Sequence, residues 1–175
     1  MPLMKLSDYY PYDSKDLFDG NDIKSFSVYA NDGEGEYDKV GSVKGVLVDD
    51  ITGIFRYFVI DTGFWVFGKN VLLPVGLAML DYDKERLYVA SLTKKQIEDL
   101  PEFSDDLKID NEYEERVRST YRPLVASSVK LQSSQSPEVV VYDYRQEPYF
   151  YDLNDLRIRS YEQRLRDRRS TSSSR

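Results

Sequence analysis

Between Ile23 and Ser91 apolar and polar positions alternate in short runs broken by Gly and Asp, and beyond Pro101 the repeat lengthens to helical spacing. A period of two puts successive side chains on opposite faces of a strand, whereas i, i+4 spacing gathers them on one side of a helix. The chain therefore reads as a β-rich body followed by helical segments. In IKSFSVYA (Ile23 to Ala30), Phe26, Val28 and Ala30 share one face while Lys24, Ser25 and Ser27 leave the other polar, which predicts a half-buried strand. The acid- and glycine-rich NDGEGEYDK then fits a solvated connection. VGSVKGVLVDD and IFRYFVID follow, separated around Asp50 to Gly53, where glycine supplies the positive φ of a hairpin loop. Asp61-Thr62-Gly63 leads into FWVFGKNVLLP, and DYDKE (Asp81 to Glu85) joins GLAML to RLYVAS. About six short strands, with turns roughly every 8–12 residues and no helical pattern between them, predict a sandwich or small barrel rather than a βαβ sheet.

The helical signals come later. Thr93 and Gln96 have capping-box spacing, and Pro101 disfavours helix at Leu100, so a short helix is expected over Lys94 to Asp99. In NEYEERVRSTYRP, Tyr113, Val117 and Tyr121 recur every fourth residue, and Glu112–Arg116 and Glu114–Arg118 are placed to pair. This predicts an amphipathic helix of about ten residues stopped by Pro123. ASSVKLQSSQSP reads as a flexible linker, and EVVVYDYRQEPYFY as a strand or an extended arm. A last helix is expected from near Asp152, with Asp152 and Asp155 at its positive end and Ile158, Tyr161 and Leu165 as a narrow apolar stripe, before a disordered STSSSR. The division is an N-terminal arm (1–22), a barrel domain (23–103), an amphipathic helix (104–123), a linker and extended arm (124–151), and a basic helix with its tail (152–175).

Composition narrows the chemistry. The chain has 175 residues, one domain's worth, and contains neither Cys nor His. Disulfides, thiolate nucleophiles, imidazole metal ligands and His-dependent triads are therefore excluded. No catalytic residue, metal or cofactor is expected. The longest near-apolar stretch, VLLPVGLAML, is half a bilayer span and contains Pro and Gly, and the start lacks an apolar signal core, so a cytoplasmic protein without a transmembrane segment is expected. The net charge of −7 is unevenly placed: Arg157 to Arg175 holds seven arginines against Glu162 and Asp167, net +5, which leaves −12 for the rest. An acidic body repels polyanions, so a nucleic acid would have to use the tail.

GSVKGVLVDDITGIFRYFVIDTGFWVFGKNVLLPVGLAMLDYDKERLYVASLTKKQIEDLPEF, from Gly41 to Phe103, resembles the PRC-barrel family, named for the cytoplasmic domain of the photosynthetic reaction centre H subunit. The family-like features run in order: a Gly-led strand at Gly41 with VLVD at Val46 to Asp49, the Thr52-Gly53 turn, RYFVIDTG, FGKNVLLPVG, and RLYV before LTKKQIEDLPEF. YEERVRSTYRP and YDLNDLRIRSYEQRLRDRR resemble extensions on bacterial, especially cyanobacterial, stand-alone members. The resemblance implies a small β-barrel of about six strands with a C-terminal helical extension. It also implies a non-enzymatic docking or assembly role, in a setting that includes photosynthesis or stress, with no catalytic residue to carry over. A ribosome-maturation relative supplies the alternative, an RNA-associated assembly factor using the basic C-terminal helix.

Three candidate sites follow. Alternation in FWVF sends Trp65 and Phe67 to one face and Phe64 and Val66 to the other, so both faces are apolar. The second face needs cover, from the chain's own C-terminal helix or from an oligomer or partner interface. Phe64, Trp65, Phe67, Tyr113, Val117 and Tyr121 are the interface candidates, with a protein partner or a homo-oligomer, a dimer first, as the occupant. Arg157, Arg159, Arg164, Arg166, Arg168 and Arg169 are the polyanion candidates. The carboxylates at Asp32, Glu34, Glu36 and Asp38, at Asp49/Asp50 and at Asp81/Asp83 lack calcium-loop spacing and flank turns, so local turn hydrogen bonding is expected of them.

Overall fold

The computed structural model describes residues 3–10, 23–63, 69–104, 111–129, 151 and 155–173, with backbone alone at 111, 124–129 and 169–173. Seven strands make one mixed sheet: β1 (Leu3–Lys5), β2 (Ser27–Asn31), β3 (Tyr37–Asp49), β4 (Phe55–Asp61), β5 (Asn70–Pro74), β6 (Met79–Asp81) and β7 (Arg86–Thr93). The helices are α1 (Leu6–Tyr9), α2 (Lys94–Glu98), α3 (Asn111–Val129) and α4 (Leu156–Ser173). Strands lie in the order β5-β4-β3-β2-β7-β6. β3, at 13 residues, is the spine: β2 and β1 pair with its two halves along one edge, and β4 along the other. All pairings are antiparallel except β2 with β7, which bridges the two ends of the β body in parallel. Among the described residues β5 and β6 do not pair, so the mainly β body is an open sheet with two end strands rather than a closed cylinder.

The alternating pattern locates the core. Phe26, Val28 and Ala30 are fully buried, as are Leu87 and Val89 of the neighbouring β7. Ile23–Ser25 form a 3-10 turn instead of starting the strand, because the Phe26 N–H bonds back to the Ile23 carbonyl at 3.1 Å. Two glycines in the β3–β4 hairpin do different work. Gly53, at φ 72°, makes the turn, and a Cβ there would press on Tyr9 and Leu165. Gly41 lies where a Cβ would run into the Asp61 carbonyl of β4. The register slips between Val43 and Gly45 and again between Leu47 and Val48, leaving Lys44 of β3 and Arg56 of β4 as the extra residues of two bulges.

The capping box is complete: the Thr93 hydroxyl accepts the Gln96 N–H at 3.2 Å and the Gln96 amide oxygen accepts the Thr93 N–H at 2.9 Å. α3 differs from expectation, running through Pro123 to Val129 and absorbing the start of the supposed linker. A proline removes one helical hydrogen bond, but Pro123 is on the exposed side while Val117 and Tyr121 pack on the sheet, so it displaces no buried side chain. α4 begins at Leu156, later than the sequence suggested, because Asp155 caps it: its Oδ1 accepts the Arg157 and Ile158 N–H groups at 2.9 and 3.2 Å. It continues through Ser173, so Ser170 to Ser173, assigned to a disordered tail from sequence, are helical. Ile158, Tyr161 and Leu165 form its buried stripe. Among the described residues no helix is long and apolar enough to cross a membrane.

The glycines give a paired prediction. Gly41→Ala should lower the unfolding free energy by about 2 kcal/mol or more, because backbone must move. Gly45→Ala, where a Cβ meets nothing within 4 Å, should match or exceed wild type. Urea denaturation of both variants checks this.

Candidate functional site

The sheet strand nearest the hairpin turn sets the geometry of the C-terminal half. From Phe55 to Ile60 every residue of β4 is buried, so both faces of that strand are covered. Part of the cover comes from α3, Tyr151 and α4. Four side chains close a ring of three hydrogen bonds and one ion pair there: Arg118 Nη1 donates to the Tyr151 hydroxyl (3.1 Å), Tyr151 pairs with the Tyr57 hydroxyl (2.6 Å), Tyr57 donates to Glu114 Oε1 (3.0 Å), and Glu114 pairs with Arg118 at 3.7 Å. With Tyr57 donating to the carboxylate, Tyr151 must be the donor to Tyr57, so every proton of the ring has one place. The bulge in β4 turns Arg56 so that its guanidinium lies 3.9 Å from the centre of the Tyr151 ring, which lets adjacent residues reach one partner. Burial, with Tyr151 and Glu114 adding to it, holds the Tyr57 hydroxyl well above its ordinary pKa. Burial also raises Tyr121 and, against the opposing charge of Arg118, Tyr151.

α4 docks by a related device. Buried Glu162 accepts the Phe55 N–H at 3.0 Å and pairs with Arg159 at 3.1 Å. Helix and strand are thus joined by a backbone hydrogen bond as well as by apolar contact. Asp155, besides capping α4, accepts the Tyr82 hydroxyl at 3.1 Å.

These contacts place the sequence-derived candidates. Tyr113, Val117 and Tyr121 are buried within the chain: the Tyr121 hydroxyl donates to the Leu72 carbonyl of β5, and the Tyr113 ring lies 6.5 Å from that of Phe103. Phe64, Trp65 and Phe67 fall outside the described residues, as does the Arg169 side chain. The remaining arginines meet groups of their own chain. Arg157 lies over Tyr82 at 4.5 Å and Arg164 near Tyr161 at 5.4 Å; Arg166 donates to Gln163 at 2.8 Å and Arg168 to the Tyr10 hydroxyl at 2.8 Å. Of the 138–151 segment, Tyr151 alone is among the described residues.

Three of the candidate carboxylates serve turns. Asp49 Oδ1 accepts the N–H groups of Ile51 and Thr52, both at 2.9 Å; Asp32 Oδ1 accepts those of Glu34 and Glu36; and Asp81 Oδ1 accepts that of Lys84. Among the described residues no cluster of acids is arranged to hold a metal ion.

A different surface stands out at the far end of the sheet. The registers of β2, β7 and β6 align Tyr29, Tyr88 and Met79 in one row on the outward face, and Tyr37 joins it with its ring 4.9 Å from that of Tyr88. Met79 is 57% exposed and Tyr37 40% exposed. Beside them Met79, Leu80, Asp81, Tyr82, Asp83, Tyr88 and Arg157 line a groove of 360 Å³. The two end strands are unequal. On β5 the Phe103 N–H bonds the Asn70 carbonyl at 2.7 Å and Tyr121 bonds Leu72, whereas among the described residues β6 has β7 as its one strand neighbour. Sequence reading missed this surface because its tyrosines are dispersed over three strands; only their cross-strand register unites them.

Residues 15–96, nearly half of the chain, match the family described as the PRC-barrel domain. This chain carries a PRC-barrel domain. Such domains are generally non-catalytic. A protein of Deinococcus radiodurans described as uncharacterized is 44% identical over 69 residues, covering 39% of this chain. The match spans about a quarter of that relative's length, 24%. α3 and α4 lie beyond the matched residues, yet they cover the PRC-barrel sheet and supply its buried polar partners.

Two outcomes follow for the PRC-barrel and its cover. Arg118→Ala, which leaves Glu114 buried without its cation, should cost about 3–5 kcal/mol, while replacing the pair by Glu114→Leu with Arg118→Met should recover most of that loss; urea titration reads both. Alkaline stability is the second. A raised folded pKa means that the stabilisation is complete below the ordinary tyrosine value of about 10 and is lost as pH rises beyond it. Exposed tyrosines should therefore ionise first, and Tyr57, Tyr121 and Tyr151 only together with loss of the circular dichroism signal. Titration of all fifteen tyrosines in one step with the fold intact would contradict this.

Proposed function

We propose that the protein is a non-enzymatic assembly module that binds protein through the outer row Tyr37, Tyr29, Tyr88 and Met79 and the neighbouring β6 edge. The carrying observation is the coincidence of exposed aromatic surface with an end strand that has a single strand neighbour. Aromatic side chains supply large contact area at small entropic cost, and an open strand edge supplies main-chain hydrogen bonds for an added strand. The PRC-barrel assignment supports the same class of activity. The first partner is a second copy of the chain. The groove carries Asp81 and Asp83 together with Arg157, so a two-fold arrangement sets the acids of one copy against the arginine of the other, as an isologous interface requires. The engagement of the α4 arginines within their own chain favours this reading over RNA binding. The photosynthetic or stress-related setting rests on the resemblance of the barrel sequence alone.

Light scattering on the full chain should give a dimer. Met79→Lys puts a charge on the edge strand and should weaken self-association at least tenfold with an unchanged unfolding midpoint. Trp65→Ala, run in parallel, separates the Phe64 to Phe67 segment from this face. A monomer at all concentrations, or a dimer indifferent to Met79→Lys, overturns the reading.

A further inference from the structure

Sulfur in this chain is confined to three methionines, Met1, Met4 and Met79, since cysteine is absent. Met1 is outside the described residues. Met4 lies in β1 opposite Val48 of β3, half-buried against the core. Met79 differs from it: it opens β6, the end strand with one strand neighbour among the described residues, and is 57% exposed. A two-electron oxidant, which in most proteins meets a thiol first, here meets a thioether on the surface.

Register decides what surrounds that sulfur. Met79 stands directly opposite Tyr88, and Tyr88 opposite Tyr29, so the three side chains project from one face. Leu87 and Val89, which alternate with Tyr88 along β7, are fully buried, and the face that carries Met79 is therefore the outward one. A methionine beside tyrosine rings suits a contact surface, because its thioether is polarizable, adaptable and packs well against aromatic edges. Its sulfoxide does not suit one. A single added oxygen turns the apolar chain end into a strong hydrogen-bond acceptor, and covering such a group without a donor is unfavourable.

We propose that Met79 is a modification site, oxidised by hydroperoxides, and that its sulfoxide releases the dimer. This rests on the assembly reading above, in which a second copy covers Met79. A sulfur lone pair attacks the outer oxygen of hydrogen peroxide, the S–O bond forms as the O–O bond breaks, and the proton of the transferred oxygen passes to the departing one, which leaves as water. Sulfur loses two electrons and the peroxide gains them. A sulfoxide reductase reverses the change, with two thiols becoming a disulfide as the oxygen leaves as water. The linkage runs both ways: a dimer that covers Met79 slows its oxidation, and oxidation weakens the dimer.

Hydrogen peroxide treatment of the full chain, followed by peptide mass mapping and light scattering, tests the site. In dilute protein Met79 should gain one oxygen at least tenfold faster than Met4, and its rate should fall as protein concentration rises through the dimer range. The oxidised chain should dimerise at least tenfold more weakly at an unchanged unfolding midpoint, and methionine sulfoxide reductase with a dithiol should restore both mass and dimer. Met79→Leu, similar in volume and without sulfur, should dimerise like wild type and keep its dimer in peroxide. Met79→Gln, polar at similar length, should dimerise more weakly with no oxidant present. The untreated chain tests the underlying reading by itself, and a monomer at all concentrations overturns both. A dimer that Met79→Lys weakens but that stays as tight after Met79 oxidation overturns the oxidation site's role alone. So do equal oxidation rates at Met79 and Met4, and so does dissociation by peroxide that persists in Met79→Leu.

Discussion

Burial of β4 on both faces is the constraint that organises this molecule. A strand of an open sheet has one face on the core and another that must be covered or solvated, and Phe55 to Ile60 leave nothing for solvent. The sheet does not close on itself to meet that demand. The remainder of the chain meets it instead: α1 and Phe103 at one end of the hairpin, α3 with Tyr151 along its length, and α4 at the turn. The contacts of α3 and α4 add polar bonds to apolar packing, which fixes where each covering helix must sit. Glu162 holds the Phe55 N–H, Glu114 holds the Tyr57 hydroxyl, and Tyr121 holds the Leu72 carbonyl. A buried ion pair such as Glu114–Arg118 contributes little net stability, but it penalises any other placement of α3.

The same arrangement makes the two ends of the sheet unequal. The C-terminal segment bonds to β5, whereas β6 has one strand neighbour among the described residues and holds the exposed Met79 in a row with the exposed Tyr37. An assembly module needs a rigid scaffold and one surface left unsatisfied by its own chain. Asp32, Asp49 and Asp81, which suggest chemistry in the linear sequence, are occupied in turns, and the tyrosines that look like generic strand formers become a surface through register.

Local signals were readable in the sequence because their causes are local. The Thr93–Gln96 capping box, the Gly53 turn, the Phe26, Val28 and Ala30 face and the Ile158, Tyr161 and Leu165 stripe depend on neighbours within a few positions. β1 escaped notice because three residues carry no period, and the parallel β2–β7 pair because nothing in either strand names its distant partner. Glu114–Arg118 and Glu162 have the spacing of solvated helical pairs. Only tertiary packing reveals that they are buried, and the same packing carries α3 past Pro123. The β6 face was likewise invisible in one dimension, since its residues come from several strands and a neighbouring turn.

α3 and α4 are part of the PRC-barrel's own core and not separable arms. Native-state hydrogen exchange on the full chain measures this directly. Amides in the middle of α3 and α4 should open with the same free energy, and the same denaturant dependence, as those of Phe55 to Ile60. Helix amides that exchange orders of magnitude faster while β4 stays protected would contradict it.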